Sequence, residues 1–455
     1  MKLKEATYAL ADLVRKTNYD DIPKDVLHEA KRRIADVIGI GLSGSTTEVG
    51  KNITRFSVAK GGSGKATIWG SGEKTSPAYA SLANGTMTFH LELDDVHRTS
   101  HTHAGVSVIP AALALCEEYS LSGKDLIVAT VLGYDVVIRI GLAVSPSIYV
   151  DRVFMAPGTL SVFGAVGAAA KLYKLDTESI AEVIGTASFL GPIAPFEAYT
   201  QGTTAKETII GWGSFVGINA VEMASYGFKG PVTAIEGDFG YCKATSEKYN
   251  LSRIYNGLGE VFEIVNTGIK PYACCRQHHS AIDAILELKE KYSLKPQEVA
   301  SIVDRTFVVA SRGKEKKPVT IAGAKYSAPY IIAVALITGK AGREQFTYDL
   351  MKDPEIISLA SKIEVKADKD LDLLYDEKWP SILEVTLNDG RVITTRRDLP
   401  KGEPEHPVSD KELKEKYLSL AVDRVEPEKA EKIWDTIFNL DNINDVSELT
   451  EMLKA

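Results

Sequence analysis

The stretch Phe163-Gly-Ala-Val-Gly-Ala-Ala-Ala-Lys171 decides the fold of the first half of this chain, because small residues dominate it. Glycine and alanine let neighbouring helices approach closely, since little side-chain volume separates the two backbones. The stretch lies within segment 159–172, whose apolar residues recur with helical spacing. Further segments with this spacing are 3–17, 23–40 (ended by Gly41), 113–119, 125–142, 177–190 and 206–225. The first half is therefore predicted to be a packed, all-helical body, interrupted by one strand-like piece at 66–70.

The pattern changes near residue 261, where strand-like runs begin to alternate with helical ones. The predicted strands are 302–309, 362–366, 382–387 and 391–395, and the predicted helices are 280–291 and 326–338. Asn388-Asp-Gly390 between the last two strands is a hairpin signature, because Asp-Gly accepts positive φ at little cost. Residues 267–397 are therefore predicted to form a smaller α+β domain.

Helical spacing returns near the C-terminus, in segments 410–420, 427–440 and 446–453. The simplest arrangement returns these helices to the first domain. The predicted fold class is thus mainly α, with an all-helical domain built from 1–266 and 398–455 and an α+β domain at 267–397.

The composition narrows the class of protein. The chain has 455 residues and a formal net charge of −8, which gives no reason to expect nucleic acid or an anionic membrane as partner. Its first residues lack a signal-peptide pattern, and no run approaches the roughly 20 apolar residues that span a bilayer. Its four cysteines include no CxxC, so neither a disulfide framework nor a structural zinc site is expected. These features predict a reduced, cytoplasmic protein.

Six of the eight histidines fall in two short windows, which point to reaction chemistry. Window one is HLELDDVHRTSHTHAG (residues 90–105), and window two is GIKPYACCRQHH (residues 268–279). Crowded ionisable groups shift one another's pKa values, and such shifts cluster at functional sites. If the preceding helix extends into window one, Glu92 and Asp95 share a face, and His97 and His101 lie one turn apart.

Other interpretations of window one stay open. It could be a solvated helix end whose acids pair with Arg98. It could also bind a metal through His97, His101, His103 and Asp94, although the HExxH context is absent. An iron–sulfur cluster is disfavoured, because adjacent Cys274 and Cys275 chelate poorly.

Window two supplies positive charge through Lys270 and Arg276. Lys206 begins a predicted helix, where the helix dipole favours anions and an ammonium needs a negative neighbour. Taken alone, Lys206 would be read as a surface charge. Tyr330, taken alone, is most simply a core aromatic residue.

These residues resemble the signature of the MmgE/PrpD family, which includes 2-methylcitrate dehydratase, cis-aconitate decarboxylase and iminodisuccinate epimerase. The resemblance rests on ELDD (92–95), on HAGVSVIPAALAL (103–115), and on the surroundings of Lys206, Lys270, His279 and Tyr330. It implies a large all-helical domain built from both termini, a smaller α+β lid domain, a homodimer, and an active site between the domains.

The chain departs from the family pattern at several places. Val96 stands where many members have threonine, and Met155 stands where many have histidine. His97, Arg98 and His101 are additional ionisable groups. These departures leave the choice of substrate open.

The expected activity is a metal-independent and cofactor-free elimination of water from a 2-methylcitrate-like acid. Lysine and arginine near a carboxylate would stabilise the charge that develops when the adjacent carbon loses a proton. Decarboxylation of cis-aconitate, epimerisation of an iminodisuccinate-type acid, and binding of a di- or tricarboxylate without turnover are the alternatives. The predicted catalytic residues are His103, Asp95, Lys270 and Tyr330, and the predicted substrate-binding residues are Lys206, Arg276, His279, Glu92, Asp94 and His101.

Overall fold

The computed structural model describes residues 5–454 and is mainly helical. Its first part, which we call the helical body, is a bundle around one hydrophobic core. The α-helices of the helical body up to residue 255 are α1 Ala6–Lys16, α2 Lys24–Ser45, α3 Glu48–Lys60, α4 Pro77–His90, α5 Ala104–Glu118, α6 Gly123–Val144, α7 Ser147–Val150, α8 Ala156–Leu172, α9 Thr177–Leu190, α10 Glu197–Thr200, α11 Ala205–Ser225, α12 Tyr241–Thr245 and α13 Ser252–Tyr255.

Small residues set the spacing of the central helices, as the sequence predicted. α8 packs against α6 and α11. A Cβ atom at Gly213 in α11 would lie 1.8 Å from the Ser161 Oγ in α8, and one at Gly217 would lie 2.6 Å from the Ala165 Cβ. The close approach of α8 and α11 therefore requires glycine at these two positions.

Two predicted helix boundaries were wrong. Helix α2 runs through Gly41 to Ser45, because Gly41 does not end the helix but makes room for Trp69: a Cβ atom there would lie 2.5 Å from the indole ring. Helix α5 begins at Ala104 rather than near residue 113, and it contains Pro110 in its interior. In both cases tertiary packing overrides a residue that usually ends or breaks a helix.

The helical body also contains two short antiparallel ribbons, so it is not all-helical. Strand β1 (Ala66–Thr67) pairs with β2 (Lys74–Thr75), and β3 (Asp95–Val96) pairs with β4 (Gly268–Ile269). Because α4 ends at His90 and α5 begins at Ala104, residues 91–103 are not helical, and the helix faces expected for Glu92 with Asp95 and for His97 with His101 do not exist.

The α+β region follows β4 and has its own hydrophobic core. Its strands are β5 Val299–Thr306, β6 Ile363–Ala367, β7 Ser381–Leu387 and β8 Val392–Arg397. They form one sheet in the order β6-β5-β7-β8, in which only the β5–β6 pair is parallel. The Asp389-Gly390 hairpin is confirmed, with Gly390 at φ +86°. The α-helices of this region are α14 His279–Tyr292, α15 Ile321–Ala324, α16 Ala328–Thr338, α17 Tyr348–Met351, α18 Pro354–Ser361 and α19 Lys369–Asp372.

The C-terminal helices return to the helical body. They are α20 Asp410–Ala421, α21 Pro427–Phe438 and α22 Ser447–Thr450, and α20 and α21 pack on α2. Tyr417 lies against Gly39, where a Cβ atom would be 2.7 Å from the tyrosine ring. Short 3₁₀ helices lie at Tyr19–Asp21, Glu263–Asn266, Arg276–His278, Pro296–Glu298, Ala310–Arg312, Arg343–Gln345, Leu440–Asn442 and Glu451–Leu453. The limits predicted for the two domains stay a prediction.

Helix α6 is the one helix among residues 5–454 whose length and hydropathy would suit a bilayer span, with a mean hydropathy of 1.9. The expectation that no run is long and apolar enough to span a bilayer was therefore wrong for this segment. In the fold, 94% of its most apolar window is buried among other helices, as expected for a core helix.

Candidate active site

The β3–β4 ribbon joins the two histidine-rich windows. Asp95 pairs with Ile269 and Val96 pairs with Gly268, so the acidic end of window one lies beside the start of window two. Lys270 follows β4 directly, and its side chain is fully buried. The ribbon therefore places an ammonium group against the carboxylates that precede β3.

Glu92 lies at the centre of a buried ion cluster. Its two carboxylate oxygens accept hydrogen bonds from Lys206 Nζ at 2.8 Å and Lys270 Nζ at 3.0 Å. Its backbone has φ +57°, in the turn directly after α4, where glycine is the usual residue. A glutamate held in this left-handed conformation indicates that its two ion pairs offset the backbone strain.

His103 and Asp94 form a hydrogen-bonded dyad next to this cluster. The imidazole Nδ1 contacts one carboxylate oxygen of Asp94, and Lys270 Nζ lies 3.3 Å from the other. His103 is the residue that precedes α5, and its ring meets Phe89 edge-on at 5.6 Å. With Nδ1 donating to Asp94, Nε2 is the nitrogen that can exchange a proton with a ligand.

Charge pairing outweighs burial in setting the ionisation of this cluster. Burial raises the pKa of Glu92, but Lys206, Lys270 and His103 outweigh it and hold that pKa well below its usual range. Burial likewise raises the pKa of Asp94, and Lys270 and His103 reverse the shift. Burial lowers the pKa of Lys270, and its two carboxylate partners raise it above the usual range. The cluster is therefore ionised at neutral pH.

A cavity of about 60 Å³ lies beside the dyad, where the helical body meets the α+β region. The polar or ionisable side chains at its surface include Glu92, His101, His103, Arg276 and Gln277. The remaining lining residues are mostly apolar or aromatic: Phe89, Val96, Tyr149, Met155, Pro157, Phe196, Tyr199, Cys275 and Trp379. This volume is well below the roughly 300 Å³ or more of most small-molecule sites.

Lys206, predicted to need a negative neighbour, has two. Besides Glu92, its ammonium lies 3.5 Å from a Glu207 carboxylate oxygen and 4.8 Å from the centre of the Tyr199 ring. Lys206 and Lys270 both lie behind Glu92 and do not line the cavity. The Glu92 carboxylate therefore lies between these two ammonium groups and a ligand in the cavity.

Asp95 and Tyr330 lie away from the cavity. Asp95 is fully buried and accepts hydrogen bonds from the Tyr134 hydroxyl at 2.7 Å and the Gly105 amide at 3.1 Å. Tyr330 donates to the Gln345 carbonyl at 2.7 Å within the α+β core. The structure therefore gives both residues protein partners and no contact with the cavity.

Arg276 lines the cavity and is anchored by the C-terminal segment. Its guanidinium donates to Glu403 at 2.7 and 3.0 Å and contacts the His279 Nδ1 at 2.8 Å. His279 also contacts the Cys274 carbonyl at 3.3 Å and does not line the cavity. His279 thus orients Arg276 rather than facing a ligand.

His101 reaches the cavity from the opposite side, in a turn where its backbone has φ +55°. Its Nε2 lies 2.5 Å from the Tyr375 hydroxyl oxygen, and its ring stacks on Tyr149 and Trp379. Burial lowers the pKa of His101 to about 3, with the charges of His103 and Arg253 adding to the shift. The imidazole is therefore neutral at physiological pH.

Several residues around the cavity were not predicted from the sequence. Glu207 could have been found, since it directly follows Lys206. Tyr375, Trp379 and the buried Lys325 carry no local signal, because only the packing of the α+β region brings them here. Lys325 Nζ donates to the His90 carbonyl at 2.9 Å, and burial lowers its pKa to about 8.

The possible metal ligands of window one separate in the fold. Among residues 5–454, no group of three or more histidine, cysteine, aspartate or glutamate side chains is arranged to hold a metal ion. His97 turns toward Glu263 at 3.8 Å and accepts the Ser100 amide, whereas His103 pairs with Asp94. All four cysteines lie in the described residues, and none forms a disulfide.

The buried His97 predicts a pH-dependent loss of stability. Burial lowers the pKa of His97 to about 3, from about 6.5 in the unfolded chain. A depressed folded pKa means that the unfolded state binds the extra proton, so this stability is present above pH 6.5 and lost as pH falls toward 3. We expect the stability of the wild type relative to His97→Gln to fall by up to about 1.4 kcal/mol per pH unit in this window.

Urea unfolding at pH 7, 6, 5 and 4 measures this difference. The matched control is His406→Gln, at an exposed histidine outside the cavity. A difference between wild type and His97→Gln that stays constant across the four pH values would contradict the prediction.

Two protein-family models match this chain. The family model described as the MmgE/PrpD N-terminal domain matches residues 8–254, and the one described as the MmgE/PrpD C-terminal domain matches residues 272–442. Together the two matches cover most of the chain.

Several of the similar curated proteins are named cis-aconitate decarboxylase. A cis-aconitate decarboxylase of Aspergillus terreus is 25% identical over 459 residues, covering 96% of this chain and 93% of the relative. The cis-aconitate decarboxylase of Homo sapiens is 25% identical over 470 residues, covering 100% of this chain and 96% of the relative.

Proposed function

The chain belongs to the MmgE/PrpD family, and from this membership we propose that it is a lyase that decarboxylates a cis-aconitate-like acid, with His103 as the proton donor. The names of its relatives favour this activity over the dehydration that the sequence alone put first. The observation that carries the proposal is the His103–Asp94 dyad at the cavity surface.

Decarboxylation suits a cavity with one imidazole ready to exchange protons. When the carbon–carbon bond to a carboxylate breaks, CO₂ leaves and its bonding electron pair stays on the substrate. That carbanion needs one proton delivered, and none has to be removed from carbon. His103 can deliver it from Nε2, since Nδ1 stays hydrogen-bonded to the Asp94 carboxylate. His101 is not suited to this task, because its pKa of about 3 leaves it neutral at pH 7, and a neutral imidazole is too weak an acid.

The cations supply the electrostatic part of the mechanism. Arg276 at the cavity surface would attract a substrate carboxylate through its positive charge and one uncommitted N–H, since Glu403, His279 and the Lys401 carbonyl occupy its other donors. Lys206 and Lys270 hold Glu92 and Asp94 ionised and would offset the negative charge that builds on the substrate. In this proposal Asp95 and Tyr330 support the fold of the site, because their hydrogen bonds are made within the protein.

Dehydration of a 2-methylcitrate-like hydroxy acid is the second candidate. It needs one proton removed from carbon and one delivered to the leaving hydroxyl. The ionised Glu92 at the cavity surface is the observation that favours it, since this carboxylate could act as the base while His103 acts as the acid. Epimerisation requires two such groups as well.

A substrate panel with product identification tests the proposal. The full chain is incubated with cis-aconitate, 2-methylcitrate and citrate, and products are identified by NMR with CO₂ release measured in parallel. We expect CO₂ and a dicarboxylate product from cis-aconitate, unchanged by EDTA because side chains carry the chemistry. Water loss from 2-methylcitrate without CO₂ would establish dehydration instead. Ligand binding without any product would reduce the protein to a carboxylate-binding module.

We further propose that the protein is a cytoplasmic homodimer, supported by its unpaired cysteines and by an exposed aromatic row. Phe56, Tyr79, Phe215 and Trp212 are consecutive neighbours in this row, with ring centres 6.3, 4.9 and 5.0 Å apart. Phe56 and Trp212 are 46% and 42% exposed. A contiguous exposed apolar patch marks an interaction surface.

Trp212→Glu is expected to convert the dimer into a monomer, because it places an unpaired charge in an apolar interface. Light scattering coupled to size exclusion measures the mass. Phe239→Glu, at an exposed ring outside the row, serves as the control and should stay dimeric. A Trp212→Glu protein of unchanged dimeric mass would exclude this row as the interface.

A further inference from the structure

Lys325 brings an ammonium group from the α+β region to the buried ion cluster. It directly follows α15, and its side chain is buried. Its backbone carbonyl accepts a hydrogen bond from the amide of the cavity-lining Cys275 at 2.9 Å. Its Nζ donates to the carbonyl of His90, the last residue of α4, at 2.9 Å. Lys325 therefore connects the wall of the cavity with the end of the helix that precedes Glu92.

In the part of the chain that the structure describes, this ammonium group has no carboxylate partner. Its one side-chain hydrogen bond among residues 5–454 is the contact with the His90 carbonyl. Burial lowers the pKa of Lys325 to about 8, although the nearby carboxylates of Glu207 and Glu92 oppose this shift. The carboxyl end of a helix carries only a partial negative charge, so it offsets the buried charge in part. Lys325 is therefore a buried cation that acts on the cluster through space and not through a direct ion pair.

Lys325 offsets an excess of negative charge in the cluster. The ion pairs of the cluster join three carboxylates and two ammonium groups, all of them buried: Glu92, Asp94, Glu207, Lys206 and Lys270. Three negative and two positive charges leave a net charge of −1. The protonated Lys325 brings this sum to zero. A ligand carboxylate in the cavity then meets a neutral cluster instead of a negative one.

This balance affects how many negative charges a ligand can bring into the cavity. Arg276 adds no net charge, because it is paired with Glu403 at 2.7 Å, and His103 adds a positive charge only when it is protonated. Charges interact strongly where water is excluded, and the energy grows with the number of charges. Loss of the Lys325 charge would therefore weaken the binding of a ligand with three carboxylates more than that of a ligand with two.

We propose that Lys325 makes the cavity selective for acids that carry more negative charges, so that a tricarboxylate is preferred to a dicarboxylate of the same shape. This inference rests on the proposed function, because it assigns the substrate class of the same cavity. Lys325 does not line the cavity. It acts through its charge on the cluster behind Glu92, as a positioning residue and not as a catalytic one.

Two unreactive ligands of the same shape test this inference on the full chain. Tricarballylate has three carboxylates, and its central monoamide, 3-carbamoylpentanedioate, has two. Isothermal titration calorimetry at pH 7 gives Kd for both ligands. We expect the wild type to bind tricarballylate more tightly, and Lys325→Met to reduce this preference by about threefold or more. A wild type that prefers the amide, or a folded Lys325→Met protein with an unchanged preference, would overturn the inference.

Lys289→Met is the matched control. Lys289 also lies in the α+β region and donates to a carbonyl near the end of a helix, that of Ile337 at 3.1 Å, but it does not line or approach the ion cluster. Its loss should leave the preference for tricarballylate unchanged. Lys325→Arg keeps the positive charge and should retain the preference. An equal reduction in Lys289→Met and Lys325→Met would show a general effect and contradict the role of Lys325.

The pH dependence of binding carries the test if Lys325→Met does not fold. Lys325 is protonated below its pKa of about 8, so the preference for tricarballylate should be present at pH 7 and reduced at pH 9. The guanidinium of Lys325→Arg stays charged, so this variant should keep the preference at pH 9. The neighbouring groups keep their charge states over this range; they are Glu92, Glu207, Lys206, Lys270 and His90. An equal reduction at pH 9 in the wild type and in Lys325→Arg would overturn the inference.

Turnover separates this inference from the proposed function. If cis-aconitate is decarboxylated but the preference between the two ligands does not depend on Lys325, the inference fails and the proposed function stands. If no substrate is turned over although the preference depends on Lys325, the proposed function fails and the charge selectivity of the cavity stands.

Discussion

Replacing His103 with asparagine is expected to lower kcat by about 10³-fold, within the range of 10²–10⁴ that positioned proton transfer contributes. The imidazole pairs with the buried Asp94 carboxylate through Nδ1 and can still present Nε2 to a ligand in the cavity. Asparagine can keep a hydrogen bond to Asp94, but its amide cannot act as a general acid near neutral pH. Steady-state kinetics on cis-aconitate give kcat and KM separately, and KM should change far less than kcat.

The control for this prediction is His28→Asn. His28 lies at the surface, where it pairs with Asp410 at 3.0 Å, so its loss should leave kcat unchanged. The thermal midpoints of both variants show whether the fold is intact. If His103→Asn keeps its kcat within a factor of about ten while folded, another group must deliver the proton.

Lys270→Met is expected to destabilise the protein by about 3–5 kcal/mol, the usual cost of removing one partner of a buried ion pair. The Lys270 side chain is fully buried and lies between Glu92 and Asp94. Methionine fills a similar volume but leaves two carboxylates without that positive charge. Urea unfolding followed by circular dichroism measures the loss, and activity should fall below detection because the cluster collapses or takes up protons.

Two further variants show whether charge causes the loss. Lys366→Met removes a surface lysine paired with Glu364, both about half exposed, and should cost less than about 1 kcal/mol. The double variant Lys270→Met with Glu92→Gln should recover part of the lost stability, since one uncompensated charge is gone. A cost below about 1 kcal/mol for Lys270→Met alone would show that the cluster is not electrostatically coupled.

Sequence patterns predicted the fold where local signals agreed with packing. The sequence predicted the hairpin at Asp389-Gly390 and helix α9 correctly, because turn chemistry and apolar spacing depend on only a few neighbouring residues. Gly41 was wrongly taken as the end of a helix, because its contact with Trp69 and not its local preference decides its role, and α5 was predicted to begin near residue 113 although it starts at Ala104 and contains Pro110. Whether a glycine ends a helix or admits a neighbour depends on a residue far away in the chain.

The candidate site was predictable in its parts but not in its arrangement. The density of ionisable groups pointed to Glu92, Asp94 and His103, which the fold brings together with Lys206 and Lys270. Sequence could not show that both lysines are already paired, because the ribbon that sets those distances joins segments about 170 residues apart. Nor could it separate Asp94 from Asp95, since a break in the helix after His90 sends their side chains to different surroundings.

The β3–β4 ribbon has a consequence for how the cavity could admit a ligand. It fastens the ion cluster at the place where the chain crosses between the two regions, so it can act as a pivot. Swinging the regions about this pivot would separate Tyr375 and Trp379 from His101 and Tyr149, on the far side of the cavity, while Glu92 and Lys270 stay in register. The cavity would then open on the side away from the ribbon. The ion cluster would keep its contacts throughout, so it would not have to form again after each ligand enters.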